Sequence, residues 1–378
     1  MDGTAVQRVA GQALAVSYDS ESMVLDRGDD MKSRLGMVLV LAAGFSVTVV
    51  SAQFTPDTDP VNIHLAAAQR AAGLDFPGLL ARVCIVPPTG SDAAAGRRRA
   101  GGVNGLTPAA AAPRQEVVPP RSQWYQEPRQ IFDNLYWVGN LRNNAWVIKT
   151  SAGLIVVDTL FHYTVEAEIV DGIKKLGMNP RDIKYVLITH GHGDHDEGAK
   201  ILQDLGARIV MSQPDWDLML NGTPLPGGNP KRDMVATDGQ KLTLGDTTVT
   251  IYLTPGHTDG TLSFIFPVKD HGQTRVVAYP GGTAYNFPRS VPRFEAYINT
   301  QKRFAKIAAD AGATVMLSNH SEFDEGYMKA RMVSTMMPGE DNPFVIKDGV
   351  QRYQTVLVEC AEAEKARLME GQDIPSKQ

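Results

Sequence analysis

Three histidines and an aspartate fall within six residues of this chain: His190, His192, Asp194 and His195, in the stretch Thr189 to Gly198. Imidazole nitrogens and carboxylate oxygens are good zinc ligands at about 2.0–2.2 Å. In an extended segment residues two apart point the same way, so His190 and His192 can meet one ion. Asp194 and His195 follow where the chain turns into a helix, so they can face a second ion. Gly191 and Gly193 let the backbone come close and reach positive φ. The alternative, a polar loop that happens to be rich in histidine, leaves this dense spacing unexplained.

The elements that position the loop are legible on either side. Tyr185 to Ile188 is short, β-branched and apolar, and reads as a buried strand. From Glu197 to Leu205 apolar residues recur at helical spacing, at Ala199, Ile201, Leu202 and Leu205. The histidines therefore sit at the C-terminal end of a strand, where α/β folds place their ligands.

The H-x-H-x-D-H pattern resembles that of the metallo-β-lactamase fold superfamily, and the likeness runs from about Ile131 to Ser321. In that family a further ligand follows a strand in a P-G-H-T-x-G context, which Pro255-Gly256-His257-Thr258-Asp259-Gly260 matches. The last ligand is a histidine after a late strand, which Thr314 to His320 matches. The resemblance implies that His190, His192 and His257 bind one zinc, and that Asp194, His195 and His320 bind the other. Two ions about 3.5–4 Å apart can share a hydroxide and bring the pKa of its parent water to about 7. That supplies a nucleophile without serine or cysteine, with Asp194 placed to orient it or pass a proton. An aspartate at the position of Asp158 supports the metal site from behind in this family; a helix cap is the other reading of the residue.

Many relatives carry a bridging aspartate or a cysteine between the fourth and last ligands. Here Ala278 to Asn286 contains neither. This likens the chain to the His-rich third subclass of class B β-lactamases. Phosphodiesterases and iron-dependent redox members usually keep the bridging carboxylate. The same subclass commonly has serines where this chain has Gly282 and Ala284. Thr283, Tyr285, Asn286 and Trp216 stand as the candidate substrate contacts, although Trp146, Trp216 and Tyr285 suit a core equally well. The expected activity is hydrolysis of an amide or ester, β-lactamase-type first. A lactone, another ester or amide, or a xenobiotic substrate on the same centre is the alternative.

Length and composition bound the rest. The 378 residues, 43% hydrophobic and 21% charged, describe a globular chain of one large domain or two ordinary ones. A net charge of −5 gives no hint of nucleic-acid binding. Two cysteines exclude a disulfide-dense scaffold and a Cys-rich zinc site. The expected partner is a small-molecule substrate.

The organisation reads as six segments. Residues 1–30 are polar, lack periodicity and stand upstream of Met31, which has the character of a start. Residues 31–52 form a signal-peptide pattern: a short basic stretch, an apolar run from Leu35 to Val50 and small residues up to Ala52. The run is short for a membrane span, which needs about 20 residues, so export to the periplasm without a lasting anchor is expected. Residues 53–85 are a helical extension, with Asp59-Pro60 as a cap and first turn. Residues 86–125 are a Pro/Ala-rich linker. Residues 126–335 are the catalytic domain and 336–378 a C-terminal helical segment. Cys84 and Cys360 are read as two separate buried thiols in preference to a pair. Periodicity supports a mixed α/β (α+β) class; the four-layer αββα sandwich is implied by the resemblance.

Overall fold

The computed structural model describes residues 57–85 and 118–371, all within the compact unit Pro56–Gln378. The signal-peptide pattern at 31–52, the segment 1–30 and most of the 86–125 linker lie outside the described residues.

Among the described residues twelve strands form two sheets. The first holds β1 (Arg129–Phe132), β2 (Leu135–Trp137), β3 (Trp146–Thr150), β4 (Gly153–Val157), β5 (Ile183–Leu187), β6 (Arg208–Ser212) and β7 (Met234–Ala236), hydrogen-bonded in that order. The second holds β8 (Gln240–Leu244), β9 (Thr247–Leu253), β10 (Leu262–Asp270), β11 (Gln273–Tyr279) and β12 (Val315–Met316), in the reverse order. β4 to β7 run parallel. β8 to β11 are antiparallel, and β12 joins β11 in parallel.

Three buried clusters define the layers. One lies between the sheets, combining Trp137, Ile148 and Leu187 with Val249, Phe264 and Leu317. A second joins the outer face of the first sheet to helical residues such as Ile169, Leu202 and Trp216. The third joins the second sheet to the helices Pro60–Ala72, Val291–Asp310 and Gly349–Met369 through Ala68, Phe294, Phe304, Tyr353 and Leu357. Alternation explains the assignment: in β9 Val249 and Ile251 point inward while Thr248, Thr250 and Tyr252 point outward. The fold is the αββα sandwich that the motif implied.

The helix Pro60–Ala72 begins where Asp59 accepts a bond from Val61 N and stops at Gly73. It packs on Gly349–Met369, and a disulfide joins Cys84 to Cys360. This corrects the expectation of separate thiols: the two helical segments, far apart in sequence, bring the sulfurs within bonding distance. Arg352 of the same helix reaches the carbonyls of Ala71 and Ala72 and the carboxylate of Asp75. Among the described residues no helix is long and apolar enough to cross a membrane.

Parallel pairing sets the catalytic end. Val157 of β4 sits opposite Leu187 of β5, so Asp158 and the His loop leave the sheet side by side. The sheets meet at the same end: Leu262 N donates to Thr189 O at 2.8 Å and Asn144 N to Asn319 O at 2.8 Å.

Candidate metal centre

Six side chains from three loops converge there in two triads. His190, His192 and His257 make one, and Asp194, His195 and His320 the other, the ligand atoms of each lying within 4.8 Å of one another. In the first triad His257 Nε2 is 3.1 Å from His190 Nε2 and 3.1 Å from His192 Nδ1. In the second, His195 Nε2 is 3.1 Å from His320 Nε2 and 3.3 Å from Asp194 Oδ2, and His320 Nε2 is 3.5 Å from the same oxygen. Ligands of a tetrahedral zinc ion at its usual bond lengths stand about 3.3–3.5 Å apart.

The outer ring nitrogens settle what faces inward. His190 Nδ1 lies 2.9 Å from Gly281 O and His257 Nδ1 2.5 Å from Ala284 O. A carbonyl only accepts, so both rings carry hydrogen on Nδ1 and present a lone pair on Nε2. Two such lone pairs 3.1 Å apart repel unless a cation stands between them. The donor set and its spacing therefore fit a metal ion in each triad.

The electrostatics differ between the triads. Burial pushes His190 well below the ordinary histidine range, and burial brings His257 down to about 4. His195 goes the other way: burial would lower it, but the carboxylates of Asp194 and Asp158 hold it well above its ordinary value. Asp194 is held low despite burial, chiefly by His195.

Supporting groups fix each ligand. Asp158 accepts from Thr189 N and Thr189 Oγ1, both at 2.8 Å, and its Oδ2 faces His195 Nδ1 at 3.0 Å. Of its two sequence readings, the geometry favours the support of a ligand. The turn that delivers it is tight, with Asp158 and Leu160 both at φ 61°; a left-handed leucine is unusual backbone. Asp215 is fully enclosed and ties both loops of the first triad, accepting from Gly191 N at 3.2 Å and Thr258 Oγ1 at 2.8 Å. Burial raises it to about 7, against the bond from Thr258. Asp324 does the same for the last loop, accepting from Ser318 N at 2.7 Å and Gly326 N at 2.8 Å. Asn319 Nδ2 donates to Gly281 O at 2.8 Å.

Gly191 and Gly193 are not at positive φ. Their role is close approach. A Cβ on Gly193 would meet Glu197 Oε1 at 2.4 Å, and one on Gly191 would meet Asp215 O at 3.2 Å.

The proposed substrate contacts fare differently. Trp216 is fully buried, its indole N–H donating to Met234 O, and belongs to the core. Thr283 Oγ1 is 3.0 Å from Tyr353 OH, so its hydroxyl is turned to the long helix Gly349–Met369. Tyr285 OH donates to Leu357 O on that helix, and its ring packs against Phe294 and Tyr297. Thr283 and Tyr285 are thus bound to a helix distant in sequence, and Trp216 packs on the outer face of the first sheet. Asn286 is half-buried on the same loop. The sequence puts Asn143 at a turn and Tyr353 on a helix face, and marks neither of them, nor Asp215, Asn319 or Asp324, as part of the centre. A Ser212-x-x-Asp215 spacing is the only local signal among them, and it reads as a helix cap, which Ser212 indeed supplies.

Comparison with known proteins bears on this geometry. Residues 138–271 match the family described as the metallo-beta-lactamase superfamily. The subclass B3 metallo-beta-lactamase BJP-1 of Bradyrhizobium japonicum shares 32% identity at TM-score 0.57, covering 66% of this chain and 98% of that one. The native FEZ-1 metallo-beta-lactamase from Legionella gormanii shares 26% at TM-score 0.56, with 66% and 98% coverage. An uncharacterised Bacillus subtilis protein, YobT, is 25% identical over 203 residues, 48% of this chain and 83% of its own length. The hydroxyacylglutathione hydrolase of Francisella philomiragia is 30% identical over 128 residues, 34% of this chain and 44% of that relative. The chain thus spans less than half of that last relative. With its sandwich, its two His/Asp groups and these relatives, the chain belongs to the metallo-β-lactamase superfamily, is a hydrolase of that superfamily, and has the build of subclass B3.

Proposed function

We propose that this chain is an exported di-zinc hydrolase that opens a cyclic amide of the β-lactam type. The observation that carries the reading is the pair of triads whose ligand atoms stand 3.1–3.5 Å apart, with the Nε2 lone pairs of His190 and His257 facing one another in the first. His190, His192 and His257 would hold one ion, and Asp194, His195 and His320 the other. When bound, zinc supplies a Lewis acid for the carbonyl and acidifies water toward neutral pH.

The protein's own groups do the rest. Gly281 O and Ala284 O fix the rings of His190 and His257, and Asp158 fixes that of His195. Asp194, anionic and buried, is assigned the proton at Oδ1, since its Oδ2 is turned to the histidines of the second triad. His190 and His195 are sealed at 1% and 0% exposure, whereas His192, His257 and His320 keep 6–7%, so substrate approaches from their side.

Two features support export: the pattern at 31–52, and the Cys84–Cys360 bridge, which suits an oxidising compartment. One observation favours a second reading of the substrate. Gly282 and Ala284 carry no hydroxyl, and Thr283 spends its own on Tyr353. A site without those hydroxyls suits a lactone or another ester or amide on the same centre.

Hydrolysis of nitrocefin and a carbapenem by the chain from Gln53 onward, with and without a chelator, tests the proposal. Chelator-sensitive turnover at about 10⁴ M⁻¹s⁻¹ or more is expected. Zinc-loaded protein without turnover transfers the assignment to the lactone and ester reading.

A further inference from the structure

Asn143 lies on the β2–β3 turn and reaches the second triad. It is 3% exposed. Its Nδ2 donates to Asp194 Oδ2 at 3.0 Å and lies 3.4 Å from His320 Nδ1. Asp194 Oδ2 is the oxygen that faces both histidines of its triad. One carboxamide therefore touches two of the three ligands in the second triad. Its backbone is fixed independently of that side chain. Asn140 Oδ1 accepts from Asn143 N at 2.9 Å, Asn143 O accepts from Asn140 N at 2.8 Å, and Asn143 pairs with His320 in an isolated bridge. The side chain is thus held on a rigid turn and aimed at the ligands.

From this geometry we infer that Asn143 is a positioning residue for the second metal subsite. It holds the Asp194 carboxylate in one rotation by bonding the ligating oxygen, and it sets the affinity of that subsite alone. The inference rests on the two-ion reading above. Groups that orient metal ligands by hydrogen bonds typically contribute 10–100-fold in metal affinity. Asn143→Leu keeps the approximate shape and removes the donor. Asn143→Ala leaves room for a water to donate in its place.

The test is zinc titration of metal-free protein against a chromophoric chelator, repeated with cobalt(II), whose visible spectrum reports the geometry of each ion. For Asn143→Leu the second ion should bind 10–100-fold more weakly with an altered second-step cobalt spectrum. The first ion should bind as in the parent protein, which also demonstrates a folded chain. Asn143→Ala should lose less. Unchanged second-ion affinity in both variants, or equal loss of both ions in both, overturns the inference. A parent protein that takes up fewer than two ions defeats the two-ion reading itself, a result visible before any variant is measured.

Discussion

Asp158 Oδ2 stands 3.0 Å from His195 Nδ1, and both side chains are fully buried. Buried from solvent, the carboxylate bonds instead to His195 and Thr189. Asp158→Asn keeps the shape and removes the charge that secures the ring. Zinc affinity of the second triad should fall 10–100-fold, read by chelator competition, with little change in the first.

Removing a ligand should act more sharply. His320→Ala should reduce bound zinc by one ion per chain in elemental analysis, and unchanged metal content would show the sixth ligand to be misassigned. Asp194→Asn should abolish hydrolysis while circular dichroism keeps the parent spectrum.

Acid should strip the two ions in order. Metal binding requires neutral imidazole. His195 is held above its ordinary value, because Asp194 and Asp158 outweigh burial, so protons claim it while the pH is still comparatively high. His190 and His257 are held low by burial and resist protonation further down. Stepwise dialysis to lower pH should release one ion first. In His320→Ala the single remaining ion should persist to the lower of the two steps.

Away from the centre, Glu168 is buried and accepts from Gln126 N at 3.1 Å. Burial raises its pKa from the ordinary 4.5 to about 9, with the Gln126 bond opposing. The folded chain therefore holds a proton there that the unfolded chain releases above about pH 4.5. Stability contributed by this group is full below that value and is lost as pH rises toward 9. Glu168→Gln keeps the acceptor and should raise the melting temperature at pH 8 by a few °C. The gain should vanish near pH 4.

The Cys84–Cys360 bridge closes a loop of 276 residues. Cys360→Ser should cost about 2–4 kcal/mol of stability. Thermal unfolding with and without reductant should show the parent, but not the variant, responding to the reductant.

What the sequence makes legible is local. The histidine loop, the apolar run of β5, and the strand–turn–strand of β8 and β9 each carry a short periodic signal, and the structure has them in place. β7 and the helix Gly326–Val333 carry little: β7 is three residues added to a sheet edge and the helix is short. The supports of the centre are long-range. Asn143 and Asp194 are 51 residues apart, Tyr353 and Thr283 70, and the bridged cysteines 276. No spacing rule reaches across such distances. Candidate ligands are recognisable because a metal ion restricts their types; an asparagine or a buried aspartate that orients them has no such restriction of type.

The most direct test of the account is the zinc content of the parent protein after equilibrium dialysis against zinc and removal of loosely held metal. Two ions per chain are expected, falling to one in His192→Ala and to one in His320→Ala. Sub-stoichiometric zinc in the parent, or a parent whose content neither substitution changes, would contradict it.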